Sequence, residues 1–181
     1  VGRVEFNKVV IEVAGNRNGY GHFALNRSGG MKVQKIEAFK AICVVNEATI
    51  STIPEKAELA NALIADEVAR FGLQVVGPTV FQYTNMSQEM SRPFTLTIAL
   101  PIANAEAYEG DLTIHAYEQI SAVTSHYTGP IKDLAAKGYD PMMGYIKQNG
   151  LTMIDDCREV YHRWDGPDAD TNDIELQIGV E

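Results

Sequence analysis

Cysteine is almost missing from this chain of 181 residues, where Cys43 and Cys157 are the only two. Neither has a partner at a metal-binding spacing, and two thiols lack the density of a secreted disulfide scaffold, so both read as inert and at least half-buried. Long apolar runs are missing too. No stretch approaches membrane-spanning length, and neither end has the basic, apolar and small-residue layout of a signal peptide, so a soluble, cytoplasmic protein is expected. Histidine is scarce and scattered: His115, His126 and His162 lie apart along strand-like runs without a shared ligand spacing, and His22 sits near the N-terminus. No metal and no cofactor is expected on that basis. Positive charge is also short, with 15 Lys and Arg against 24 Asp and Glu for a net charge of −9. The acidity grows along the chain, since residues 155–181 hold nine acids against Arg158 and Arg163 alone. A field of that sign repels phosphate backbones and attracts cations, so nucleic acid is not expected as a direct partner. There is no recognisable nucleophile, triad or metal motif, and no residue is assigned a catalytic role.

What the chain does have is an internal repeat. Residues 31–102 lie over residues 109–180 at an offset of 78: Ile36, Ala38, Phe39, Ile42 and Val45 meet Ile114, Ala116, Tyr117, Ile120 and Val123. Further along, Gly72-Leu73 meets Gly150-Leu151, Tyr83 meets Tyr161, and Ile98, Leu100 and Ile102 meet Leu176, Ile178 and Val180. The offset is constant over the whole length, with no gap. Two copies of one unit pack around a pseudo-twofold axis and share a seam, which makes residues 31–181 one domain of two halves. Residues 1–30 stand outside the repeat as a native extension or a leader. They hold one strand-like run, Val9–Val13, followed by glycine- and asparagine-rich turn material. An edge strand of that kind pairs within the chain or across a dimer.

Each repeat reads strand, helix, strand, strand. In the first, residues 33–49 are rich in β-branched and aromatic residues, and Ser51 and Pro54 end the strand and open a helix over residues 55–71. Ala57, Ala60, Ile64, Val68 and Phe71 follow helical spacing, and Gly72 supplies the stop. Residues 79–84 and 94–102 are the next strands. In the second repeat the strands fall at 112–127, 157–163 and 173–180. Asp140-Pro141 interrupts the helical region between them, predicting a short turn over 132–138 and a helix over 141–148 with Asp140 as its N-cap. The result is an α+β fold, a mostly antiparallel sheet with both helices on one face. Leu96, Ile98, Leu100 and Ile102, with Ile174, Leu176, Ile178 and Val180, should face the helices.

Alternation puts Thr79, Phe81 and Tyr83 on one face of their strand and Cys157, Glu159 and Tyr161 on the matching face of the other copy. Glu159 therefore stands where repeat one has Phe81. On the residues alone it reads either as a solvent-facing glutamate on an open sheet or as a buried acid among Phe81, Tyr83 and Tyr161. The latter would need a hydroxyl, Arg158, Arg163 or an outside cation as partner. An aromatic groove with one central acid suits a lipophilic organic cation, through ring faces and a neutralising carboxylate. Tyr127, at a strand end, and Trp164, the only tryptophan, are candidates for the groove's rim, and Tyr145 on the second helix is a candidate for its wall. Phe39 and Tyr117 should pack within the sheet.

The second repeat carries Tyr127-Thr128-Gly129-Pro130 before a helix, then Asn149-Gly150-Leu151, Arg158-Glu159-Val160-Tyr161 and a final Ile174-Glu175-Leu176-Gln177-Ile178 strand. In that order it resembles the GyrI-like small-molecule-binding domain, the effector-binding part of several multidrug-sensing transcription activators. The resemblance spans residues 31–180 and implies a central groove at the seam. It also implies that Glu159 is the cation-binding acid, with Tyr161, Phe81, Tyr83, Tyr127, Tyr145 and Trp164 around it. Asn172 stands where some members carry a pocket tyrosine. Residues 1–30 do not make a helix-turn-helix, so a stand-alone member of the mobile-cassette kind is expected. The implied function is sensing or sequestering amphipathic, cationic compounds. The alternatives are hydrolysis of reactive small molecules with Glu159 as general acid or base, and a gyrase-inhibitor-like protein-interaction module that binds a protein partner or forms a homodimer.

Overall fold

The computed structural model describes residues 30–86 and 92–181, and the strand-like run Val9–Val13 lies outside them. Eight strands and two α-helices follow one another as β1 (Lys32–Ile36), β2 (Phe39–Ala48), α1 (Ile53–Phe71), β3 (Thr79–Thr84), β4 (Phe94–Pro101), β5 (Thr113–Tyr117), β6 (Ile120–Thr128), α2 (Asp140–Gln148), β7 (Met153–Arg163) and β8 (Asp173–Val180). The strands form one antiparallel sheet in the order β1-β6-β8-β7-β3-β4-β2-β5. Exchanging the repeats reverses that order onto itself, so the twofold runs between β3 and β7.

Each long first strand expected from the sequence is a bent pair. β1 pairs with β6, and β2, only two residues further on, pairs with β4 and β5. β5 and β6 divide their partners in the same way. The two bent strands run alongside each other from Lys32↔Thr124 to Cys43↔Thr113, and the sheet curls until its ends meet through them.

The register corrects the gapless alignment. Val45 pairs with Thr97 and His126 pairs with Glu175. Thr97 and Glu175 are 78 apart, so the counterpart of Val45 is His126, at 81. Both β1/β5 and β2/β6 obey the larger offset, while the helices and β3/β7 keep 78. Repeat one has three extra residues in the tight turn before α1, where the hydroxyl of Thr52 returns to the backbone of Thr49. A three-residue shift flips the faces of a strand. The apolar matches at 78 in this stretch therefore join residues on opposite faces.

α1 starts with Pro54 and Glu55 in its first turn and stops at Gly72, whose φ of 59° only glycine adopts freely. Gly150, with φ of 63°, closes α2 in the same way. The cap bonds Leu73 N–H to Val68 O and Leu151 N–H to Ile146 O repeat the motif at offset 78. The second helical region does not break at Asp140-Pro141. A 3₁₀ turn (Ile131–Asp133) and a π-turn (Ala135–Tyr139) lead straight into α2, so Asp140 lies inside the helix rather than at its N-cap. Pro141 has no N–H for the preceding turn, and the wider π-turn accommodates that missing bond.

As expected, both helices lie on one face of the sheet. Ala57, Ala60 and Ile64 of α1 pack on Ile42, Phe81, Leu96, Ile98 and Leu100, and Met142 and Ile146 of α2 pack on Val123, Ile174, Leu176 and Ile178. Each fully buried aliphatic side chain contributes about 1.5–3 kcal/mol relative to exposure. The opposite face curls around a second, smaller cluster of Ala41, Cys43, Ala99 and Tyr117. The space beside it, lined by Phe39, Val80, Arg158, Val160 and Gln177, amounts to only about 10 Å³. That admits one water at most, so the inside of the curl is core and not a ligand cavity.

Candidate functional site

The central β3–β7 ladder pairs Phe81 with Glu159, so the two counterparts face each other on the twofold. Both point to the helix side of the sheet. Glu159 is 5% exposed, and its compensation comes from hydroxyl groups. Tyr83 donates to Oε2 at 2.8 Å, Tyr161 donates to Oε2 at 2.7 Å, and Tyr139 donates to Oε1 at 2.8 Å. Three donors on two oxygens match a carboxylate, which has acceptor sites for about four. Glu159 makes no ion pair with any described residue. Hydrogen bonds to a buried carboxylate offset much of its lost hydration, but they leave its charge unneutralised.

The tyrosines register that charge. Burial, and then the Glu159 carboxylate, push the hydroxyls of Tyr83, Tyr139 and Tyr161 well above the ordinary phenol value. All three remain neutral donors at physiological pH. Burial also pushes the Cys157 thiol up to about 12 and the Cys43 thiol up to about 11, in keeping with two inert cysteines. Aromatic rings pack around this cluster: Phe81 lies against Tyr161 at 4.7 Å between centroids, Tyr83 against Phe94 at 5.8 Å, and Trp164 stands edge-on to Tyr161 at 5.7 Å. Trp164 is 36% exposed and forms the outer edge of this stack.

The structure thus gathers Glu159, Phe81, Tyr83, Tyr161 and Trp164. Neither Tyr127 nor Tyr145 hydrogen-bonds to Glu159. Tyr127 is buried in the α2 core with its hydroxyl on Pro130 O at 2.7 Å, and Tyr145 packs against that same core. Tyr139 is the member that sequence reasoning missed. It sits on the π-turn, one residue beyond the segment read as a plain turn, and its counterpart in α1 is the exposed Asn61. The only signal was an aromatic residue directly before Asp140-Pro141. Asn172 is fully buried and holds the β7–β8 loop, accepting from Asp165 N–H and donating to Gly166 O, each at 2.8 Å.

On the inner face, Phe39 and Tyr117 stack at 4.4 Å as expected of sheet residues. Arg158 lies over Tyr117 at 4.9 Å, and its Nε and Nη2 both donate to Asp156. Gln82 donates to the same Asp156 at 2.9 Å. Arg158 therefore does not serve Glu159, and Arg163 is bonded to Asp165 at the surface.

No family model and no curated protein sequence matches the chain. Solved structures do. The C-terminal domain of EcmrR superposes with a TM-score of 0.65 at 20% identity, over 84% of this chain and 97% of that domain. In its complex with DNA, EcmrR superposes at 0.69 with the same identity, and there this chain spans 57% of the EcmrR chain. SAV2435 bound to tetraphenylphosphonium gives 0.61 at 10% identity, over 84% of this chain and 94% of that one. The chain has the GyrI-like fold. A hydrolase from Listeria innocua shares it, at 0.60 and 11% identity over 83% of this chain and 91% of that one. No helix among the described residues is long and apolar enough to cross a membrane.

Proposed function

We propose that the domain binds amphipathic organic cations at the seam between its repeats, with Glu159 as the charge partner and Phe81, Tyr83, Tyr139, Tyr161 and Trp164 as the aromatic wall. One observation carries this reading. A 5% exposed carboxylate is held by three tyrosine hydroxyls and by no cation among the described residues. A bound cation would supply the missing charge in a medium of low dielectric, and ring faces would add cation–π attraction of about 0.5–2 kcal/mol each. The likeness to a protein bound to tetraphenylphosphonium supports the same ligand class. Tyr127 and Tyr145 have no direct part in this version of the site. Entry requires the Tyr139 hydroxyl or the Trp164 edge to move aside, since the carboxylate is capped.

The test is a pair of titrations, with tetraphenylphosphonium and with neutral triphenylphosphine oxide, on the wild type and on Glu159→Gln. The wild type should prefer the cation, and the substitution should weaken cation binding at least about tenfold, or 1.4 kcal/mol, while leaving the neutral compound little changed. Equal cation affinities in the two proteins would overturn the proposal.

A second reading has its own support. Glu159 beside three neutral hydroxyl donors is also an acid–base arrangement, and one neighbour of this fold is a hydrolase. In that case an electrophilic small molecule would be hydrolysed, with Glu159 moving the proton of the attacking water. Product formation by the wild type above the Glu159→Gln rate would support it, and identical rates would remove it.

A further inference from the structure

His126, His162 and Glu175 were scattered in the sequence, yet the ladder order β6-β8-β7 brings them together on the sheet face opposite Glu159. Their ligand atoms lie within 4.8 Å of one another. Glu175 Oε2 is 3.2 Å from His162 Nε2 and 3.6 Å from His126 Nε2. Ligands at about 2.0–2.1 Å from a tetrahedral zinc ion are about 3.3 Å apart, so both distances fit the edges of such a site.

The supporting atoms fit as well. Asp173 Oδ1 lies 3.2 Å from His126 Nδ1, the arrangement that turns the other ring nitrogen toward a metal. Gln177 donates to Glu175 Oε1 at 2.9 Å, leaving Oε2 to face the imidazoles. The β7–β8 register shifts between Tyr161 and Arg163, so His162 sits at an irregularity, the kind of strand defect that re-aims a side chain.

The internal repeat supplies a control. The counterparts of His126, His162 and Glu175 are Val45, Thr84 and Thr97, and the corresponding ladder is regular from Val80 to Thr84. The same fold is thus built in the other half without an ionisable group at any of these positions. The fold therefore does not require ionisable groups at these positions.

We propose that His126, His162 and Glu175 form a three-ligand site for a divalent transition metal of the zinc, cobalt and nickel class. Two imidazoles and a carboxylate suit that class, and the partly exposed His126 leaves the fourth position to solvent. The site is independent of Glu159, because His162 and Tyr161 point to opposite faces of β7.

The experiment is a cobalt(II) titration of the full chain after chelator treatment, followed by visible absorption, with zinc(II) competition. Saturable binding of one equivalent, with the intense bands of a four-coordinate site reversed by zinc, is expected. His126→Ala should weaken binding about 10–100-fold and Glu175→Gln likewise, whereas His115→Ala should match the wild type. A zinc-dependent rise in melting temperature should appear in the wild type and be lost in His126→Ala. His126 is exposed enough for its alanine variant to fold, and a melting curve without metal confirms this. Absence of saturable cobalt binding, or equal affinity in wild type and His126→Ala, would overturn the proposal.

Discussion

Glu159 faces Phe81 across the ladder that the twofold bisects, and the two are the same position of the two repeats. A perfectly symmetric pair of glutamates there would repel, and a pair of phenylalanines would be plain core. One of each gives a single charge on the axis, and the counterparts Tyr83 and Tyr161 both donate to the same oxygen from either side. Symmetry thus supplies two matching donors, and the exchange at one position supplies the charge they hold.

Adding the second carboxylate tests that account. Phe81→Glu would put two acids in one buried space with no cation among the described residues to share. The expected cost is about 3–5 kcal/mol in urea unfolding at neutral pH, the usual range for an uncompensated buried charge. A cost below about 1 kcal/mol would mean that positions 81 and 159 do not share an environment.

Tyr139 and Tyr145 lie six residues apart on the same helical segment, and of the two only Tyr139 donates to the Glu159 carboxylate. Tyr139→Phe removes a donor to a buried carboxylate and should cost about 1.5–3 kcal/mol. Tyr145→Phe should stay within about 0.5 kcal/mol, as for most peripheral changes. Thermal or denaturant unfolding of the two variants side by side decides this, and equal effects would place Tyr139 outside the carboxylate's shell.

The fold was legible because hydrophobic alternation and the repeat point to the same architecture. The helix-facing sets in residues 94–102 and 174–180, the Gly72 stop and the Phe81/Glu159 equivalence all follow from residue properties that survive in the structure. Three things were hidden. Val45 and His126 are counterparts only when three extra residues are allowed before α1, and aliphatic residues on both faces of β2 and β6 disguise that shift. Tyr139 needs the π-turn, which no periodicity announces. The His126, His162 and Glu175 cluster is assembled by neighbouring strands and has no spacing to read.

Alkaline titration should reveal the shielded phenols. Tyr83, Tyr139 and Tyr161 all have folded-state values raised by burial and by Glu159. A raised folded value means the native state holds the proton more tightly, so this stabilisation is complete below the unfolded phenol value of about 10 and is lost as pH climbs beyond it. In the folded protein, tyrosinate absorbance at pH 11 should fall short of the eight tyrosines in the sequence. The remainder should appear together as the chain unfolds at higher pH. Glu159→Gln should bring part of that absorbance to lower pH, since one cause of the shift is gone, and a curve identical to wild type would separate these phenols from the carboxylate.

Arg158 and Asp156 offer a prediction on the other face of β7. Arg158 is 2% exposed, and among the described residues its Nη1 has no hydrogen-bond partner and Asp156 is the one acid bonded to its guanidinium. The surrounding stack of Phe39 and Tyr117 adds cation–π attraction but no acceptor. Asp156→Asn therefore leaves a buried cation without its counterion and should cost about 3–5 kcal/mol, far more than the loss of an exposed ion pair. Arg158→Met combined with Asp156→Asn removes both charges while a flexible apolar chain fills the space beside the stacked rings, and it should recover most of the loss. Unfolding free energies for the two single variants and the double variant close the cycle. If Asp156→Asn alone were neutral, Arg158 would have to draw its compensation from the ring faces rather than from the carboxylate.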